Sequence, residues 1–269
     1  MKLYSHSRLW LFENCPEAYK IKYLDKTFPD LPTSINLVLG SAVHDSLEEL
    51  YKRRMAGVVW ELDELVRHFA LLWKEECTSD VRVDGGTAED YFNKGLKFLA
   101  DYYMKHHPFS DDTMEVEKRL VFPLDDIGEI RLQGYVDRLV KVGWKDFEIH
   151  DYKTNAIMKK QEEVDADKQL AFYHIGLQKL FGADIKVKLV WHFLAHNRSI
   201  SSTRTQEQLD KLKRNTLRLI REIESNTVWP ACGRSWCDWC DYKRKNGLTM
   251  ENGKYNQKVV GNGNLGKWV

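Results

Sequence analysis

Between residues 114 and 154 the chain alternates apolar and polar side chains in three successive runs, MEVEKRLVFPL, IRLQGYVDRLVKV and DFEIHDYKT. A period of two is the pattern of strands that bury one face and wet the other. Asp125, Asp126 and Gly128 fill the first gap, and Gly143 marks the second. Such residues suit tight turns, so the stretch predicts a three-stranded antiparallel meander. Everything else in the chain must pack around that sheet.

The flanking segments read mainly as helices. Residues 1–24 predict a helix with Leu9, Phe12, Ala18, Tyr19 and Tyr23 on apolar faces and Ser5 or Ser7 as its cap. A connector over 25–39 contains Pro29 and Pro32. Val43, Leu47, Leu50 and Tyr51 then recur at helical spacing, and two more helices are expected near 60–77 and 88–106. After the meander, Leu170, Tyr173, Leu177 and Leu180 place a helix over 165–182. IKVKLVWHFLA, 185–195, predicts a fourth strand, and TQEQLDKLKRNTLRLIREIESN an amphipathic helix. The Gly-, Asn- and Lys-rich stretch 246–269 predicts a flexible tail. This order predicts an α/β fold: a central mixed β-sheet flanked by helices, with an N-terminal helical block. The expected organisation is one domain over 1–245. It comprises a helical insertion at about 46–112, a core at about 113–205, and a closing helix with a cysteine group at about 206–245.

Charge constrains partners. The formal net charge is +1, so a polyanion has to be gripped by local basic patches and not by a global field. Three groups are available: Lys141, Lys145, Lys159 and Lys160; Lys211, Lys213, Arg214, Arg218 and Arg221; and Lys243, Arg244 and Lys245. Taken singly, each reads more readily as part of a solvated face. No apolar run is long enough for a membrane span, and MKLYSHSRLW lacks the apolar stretch of a secretory leader. A reducing, cytoplasmic setting is expected.

The chemistry concentrates at EIHDYKT. Asp151 and Lys153 are two residues apart on a strand and so share a face. Asp137 ends GYVD on the preceding strand, where Gly134 permits close backbone approach. Two carboxylates, the Tyr152 carbonyl and waters can hold Mg²⁺ or Mn²⁺, and Lys153 can orient or deprotonate a water for attack on phosphate. A lone D-x-K is usually a salt bridge, so the companions matter. His44 lies among apolar neighbours and by itself reads as a core histidine. Gln169 and Tyr173, at i and i+4, share one helix face and can donate hydrogen bonds.

Cys232, Cys237 and Cys240 form C-x4-C-x2-C, and Cys15 in FENCP is the natural fourth thiolate. Such spacing outside an oxidising compartment favours metal over disulfides. A 4Fe–4S cluster and a structural zinc both accept four thiolates. Cys77, on an apolar helical face, reads as packing.

From Ser5 to about Tyr242 the ordered set resembles the RecB-like branch of the PD-(D/E)XK nucleases. That branch includes the iron–sulfur CRISPR-associated exonucleases and the nuclease domain of the AddB helicase–nuclease. The resemblance rests on FENCP, GSAVH, GYVDR, DYKT, Q-x3-Y and the late cysteines. It implies a restriction-endonuclease-like core in which His44, Asp137, Asp151 and the Tyr152 carbonyl bind Mg²⁺ or Mn²⁺. It makes Lys153 the catalytic lysine, and has Gln169 and Tyr173 shape the site and contact DNA. It implies a 4Fe–4S cluster on Cys15, Cys232, Cys237 and Cys240, with zinc as the alternative. One departure stands out: the family commonly carries a cysteine after the C-x2-C pair, whereas here Cys232 precedes it. The implied activity is exonucleolytic cleavage of single-stranded DNA or DNA ends in repair, recombination, phage replication or CRISPR adaptation, with possible protein partners there. The alternatives are a non-catalytic DNA-binding or scaffolding module with the same fold, and a zinc-stapled interaction protein.

Overall fold

The computed structural model describes residues 2–251 and 254–257. Its first elements are β1 (Lys2–Ser5), α1 (His6–Asn14), α2 (Pro16–Tyr19), a π-helical turn (Lys20–Asp25), α3 (Ile35–Met55), α4 (Leu62–Glu76) and α5 (Ala88–His106). The meander follows as β2 (Thr113–Pro123), β3 (Ile130–Lys141) and β4 (Asp146–Lys153). Then come α6 (Gln161–Asp165), α7 (Gln169–Phe181), β5 (Lys186–Phe193), a 3₁₀ turn (Leu194–His196), β6 (Arg198–Thr203), α8 (Gln206–Ser225), α9 (Asp238–Lys245), β7 (Leu248–Glu251) and β8 (Lys254–Gln257).

These elements group into two compact units, one of residues 2–6 and 31–219, the other of residues 7–30 and the described residues from 220 onward. The first unit holds a mixed sheet. β2 runs antiparallel along one edge of β3, with Leu120 opposite Gly134. The other edge of β3 is shared. β1 pairs in parallel with Ile130–Gln133, and β4 pairs antiparallel with Arg138–Lys141. β4 and β5 are parallel over their full lengths, joined through α6 and α7, and β6 closes the sheet antiparallel to β5. The expected α/β fold with a central mixed sheet is present.

Local chemistry explains the helix starts. The Ser34 hydroxyl accepts the Asn36 N–H at the head of α3, and Thr87 with Asp90 forms a reciprocal capping box on α5. α3, α4 and α5 bury Val43, Leu47, Leu65, Phe69, Leu99 and Tyr102 in one apolar cluster that also takes in Tyr152 of β4. α7 is buried from Leu170 to Leu177, because it lies flat on the sheet. Two glycines let it approach. A Cβ on Gly134 would stand 2.2 Å from the Tyr173 ring, and one on Gly176 would stand 2.8 Å from Phe122. Cys77 caps the end of α4 and packs against the helical cluster.

Several details differ from the sequence reading: α1, α2 and the π-helical turn divide the helix expected over 1–24, and α3 starts at Ile35, inside the expected connector. Residues 2–5 are a strand, not the start of a helix. The helix expected over 165–182 is divided, with α6 ending at Asp165 and α7 starting at Gln169. β6 was not foreseen, because RSISST is almost wholly polar and occupies a sheet edge. Within the stretch read as a loose tail, Leu248–Glu251 pairs with Lys254–Gln257 as a hairpin; residues 258–269 lie outside the described residues.

The second unit holds α1, α2, the π-helical turn, the end of α8, α9 and the hairpin. Its buried cluster comprises Cys15, Ala18, Ile21, Cys237, Trp239 and Cys240. Among the described residues no helix is long and apolar enough to cross a membrane.

Candidate active site and cysteine centre

β3 and β4 pair as far as Arg138 and His150, and one residue further on they part. Asp137 and Asp151 stand at that fork. The Tyr152 N–H, which leaves the ladder there, donates instead to Asp137 Oδ2 at 2.8 Å. The fork lies at the C-terminal end of the parallel β4–β5 pair, where open α/β sheets present their ligand sites.

His44, projecting from α3, completes one side. Its Nε2 lies 2.7 Å from the Tyr152 carbonyl oxygen, and its Nδ1 lies 3.4 Å from Asp137 Oδ2. It is therefore not a core histidine. On the other side Asp151 is 2 % exposed. Lys153 Nζ sits 3.0 Å from Asp151 Oδ1 and 2.8 Å from Oδ2, and only the first contact has hydrogen-bond geometry. Lys153 also donates to Gln169 Oε1 at 3.3 Å, and Gln169 Nε2 donates to the Tyr173 hydroxyl at 3.4 Å. The sequence-predicted residues of this site thus converge in one place.

The sequence reading missed Glu117. The pairs Val116–Arg138 and Lys118–Val136 put it directly opposite Asp137, and its carboxylate joins His44 and Asp137 with ligand atoms within 4.8 Å of one another. It sits at φ +44°, a left-handed conformation that is strained for a non-glycine residue inside a strand. Counting the β2–β3 hairpin outward from its turn would have set this acid across from Asp137.

The electrostatics are those of a cage for a cation. Burial, and then the charge of Asp151, push the Asp137 carboxyl up to about 8. Burial, and then Asp137 and Glu48, raise Glu117 to about 7. Burial works against the Lys153 ammonium, but Asp151 and Asp137 outweigh it and hold it protonated. Crowded carboxylates become comfortable as anions only when a positive ion joins them. An imidazole, carboxylates and a backbone carbonyl suit Mg²⁺ or Mn²⁺. Asp151 Oδ2, buried and met only by the Lys153 ammonium without hydrogen-bond geometry, keeps acceptor capacity that suits the same fit.

A buried polar network braces β4 from below. Arg138 is 1 % exposed. It contacts Asp111, donates to the Tyr152 hydroxyl at 2.9 Å, and lies 3.0 Å from His150 Nδ1. Tyr102 bridges the Tyr152 and Tyr51 hydroxyls at 3.2 and 2.7 Å. Burial, with Arg138 nearby, lowers His150 to about 4 and keeps it neutral.

Part of each basic group is ion-paired within the protein. Lys159 pairs with Asp167 at 2.6 Å, Lys145 with Asp184, Lys213 with Asp126 at 3.1 Å, and Lys245 with Asp241 at 2.8 Å. In the second unit, Cys15, Cys232, Cys237 and Cys240 bring their sulfurs within 4.8 Å of one another, so this group also could hold a metal.

No curated protein sequence matches the chain. Among solved structures, a candidate exonuclease from Eubacterium rectale superposes with a TM-score of 0.51 at 13% identity, covering 89% of this chain and 87% of that one. At that identity the likeness speaks to fold alone. SSO0001 aligns at a TM-score of 0.37 and 12% identity, covering 85% and 92% of the two chains, and carries no argument. The family model that describes the PD-(D/E)XK nuclease superfamily matches residues 4–244, which include both the forked-strand site and all four clustered cysteines, and the chain belongs to that superfamily.

Proposed function

We propose that the chain is a Mg²⁺- or Mn²⁺-dependent deoxyribonuclease acting exonucleolytically on single-stranded DNA or duplex ends. The observation that carries this reading is the convergence of His44, Glu117, Asp137, Asp151 and Lys153 on one fork between β3 and β4. The preference for ends rests on the resemblance to the RecB-like branch, and the description of the Eubacterium rectale neighbour agrees with it.

His44, Asp137, Asp151 and the Tyr152 carbonyl are the proposed ligands, with Glu117 as a further carboxylate at the rim. A divalent ion there would lower the pKa of water and offset charge on the scissile phosphate. The protein's own contribution is positioning. Lys153, protonated and tied between Asp151 and Gln169, orients the attacking water and stabilises charge developing on the phosphate oxygens. Tyr173 holds Gln169, and Gln169 keeps the ammonium from folding away. His44 fixes the Tyr152 carbonyl in place. Water adds to phosphorus and gives up a proton to solvent, the phosphorus–oxygen bond to the departing strand breaks, and the leaving oxygen takes a proton back from solvent.

End-labelled single- and double-stranded DNA, incubated with and without Mn²⁺, tests the reading. Asp151→Asn and Lys153→Met should each abolish shortening of the label while retaining DNA binding. Metal-dependent cleavage that survives in both purified variants eliminates this site. DNA binding with no cleavage by the parent protein in the presence of Mn²⁺, or of Mg²⁺ in its place, points to the non-catalytic module.

A further inference from the structure

The resemblance implies an iron–sulfur cluster at the four cysteines, and the sulfur positions do not suit one. Cys240 Sγ lies 3.6 Å from Cys232 Sγ and 3.8 Å from Cys15 Sγ, and all four sulfurs fall within 4.8 Å of one another. Four thiolates around one ion at ~2.3 Å occupy the corners of a tetrahedron with edges of ~3.8 Å. On a 4Fe–4S cube each thiolate binds a different outward-facing iron, which sets the sulfurs roughly 6 Å apart. Every pair here would have to open past its present limit.

On the Cys15 side the surroundings resist that expansion, while Cys232 is only part-buried. Cys15 is fully buried, and Ala18, Ile21 and Trp239 close around the group. The wall is cross-tied: Glu17 accepts the Trp239 indole N–H at 2.8 Å and the Lys243 ammonium at 2.9 Å. The chain turns tightly at the cysteine pair, with the Cys237 N–H donating to the Arg234 carbonyl and the Asp241 N–H to the Cys237 carbonyl. The displaced cysteine fits the same picture, since Cys232, five residues before Cys237, makes the shorter of the two sulfur contacts to Cys240.

We infer that Cys15, Cys232, Cys237 and Cys240 hold a single tetrahedral ion, zinc by its thiolate chemistry, in place of a 4Fe–4S cluster. With four protein ligands the centre is closed, so its role is structural. It ties the start of α2 to the segment that leads into α9, within the second unit. The inference does not depend on the nuclease reading.

The full chain, produced anaerobically in medium supplemented with both iron and zinc, provides the test. One zinc per chain and no broad visible absorption are expected, before and after anaerobic treatment with iron and sulfide. Replacing zinc by Co²⁺ should give the intense visible bands of a tetrahedral thiolate site at one equivalent. Cys232→Ser should weaken zinc binding by at least the 10–100-fold that loss of an outer-shell partner costs. Cys77→Ser, outside the group, should leave it unchanged. About four irons with matching acid-labile sulfide per chain overturns the inference. So does metal-free protein that fails to take up one equivalent of Zn²⁺ or Co²⁺.

Discussion

Asp137 Oδ2 accepts the backbone N–H of Tyr152 at 2.8 Å, and this bond fills the gap left where β3 and β4 separate. One carboxylate thereby finishes the sheet ladder and faces the site. Its burial gives it a pH signature. Folding raises the Asp137 carboxyl from 3.8 to about 8, so the folded state binds the proton more tightly than the unfolded one. The stability it contributes is complete below 3.8 and is lost as the pH rises towards about 8. In chelator-treated protein, the melting temperature of Asp137→Asn should therefore gain on that of wild type as pH climbs from 5 to 8. Saturating Mn²⁺ should erase or reverse the gain. A difference that stays flat with pH would mean the carboxylate is already balanced without a cation.

Glu117 combines strain with charge. Glycine adopts φ +44° without penalty, so Glu117→Gly should stabilise metal-free protein by about 1 kcal/mol. Glu117→Gln keeps the strain but removes the repulsion from Asp137. Both should lower Mn²⁺ affinity, by roughly 10–100-fold if the carboxylate acts at the rim of the ion. Calorimetric titration with Mn²⁺ alongside thermal melts separates the two effects. Unchanged affinity in both variants would remove Glu117 from the site.

Much of this arrangement is legible from residue pattern, for definite reasons. Alternation reveals β2, β3 and β4 through the stretches that bury one face, although Ile149–Tyr152 of β4 is buried on both, and a spacing of two suffices to bring Asp151 and Lys153 together. His44 is harder, since its neighbours on α3 are core residues and only the packing of α3 on the sheet turns it towards Tyr152. β1 escapes because KLYS runs straight into a helix, and β6 because a polar edge strand has no buried face to betray it. Glu117 depends on hairpin register and a left-handed residue, neither of which periodicity encodes. Cys15 meets Cys240 across 225 residues, and the count of thiolates, not any periodicity, is what singles it out in the sequence as the fourth of the group.

Gly134 and Tyr173 should couple strongly. A methyl group at 134 would overlap the tyrosine ring at 2.2 Å and push α7 off β3. Gly134→Ala should cost about 1–3 kcal/mol and loosen the Tyr173–Gln169–Lys153 chain. In a Tyr173→Ala background the same change should cost much less, because the clash has gone. Additive losses in urea melts of the double-mutant cycle would refute the contact.

Tyr152 divides its labour between side chain and backbone, which permits a clean separation. Its hydroxyl belongs to the buried network, accepting from Arg138 at 2.9 Å and meeting Tyr102 at 3.2 Å, while its carbonyl faces His44. Tyr152→Phe deletes only the hydroxyl and leaves Arg138 short of one buried acceptor, so a loss of about 1–3 kcal/mol is expected. Cleavage per folded molecule should stay within about twofold of wild type at a temperature well below both melts, since no ligand atom has been removed. Arg138→Met should be harsher, about 2–4 kcal/mol, because the Tyr152 hydroxyl and His150 both lose a buried partner, whereas Asp111 is exposed enough to turn to water. If Tyr152→Phe instead lost most of its activity while retaining its melting temperature, the hydroxyl would belong to the reaction and not to the scaffold.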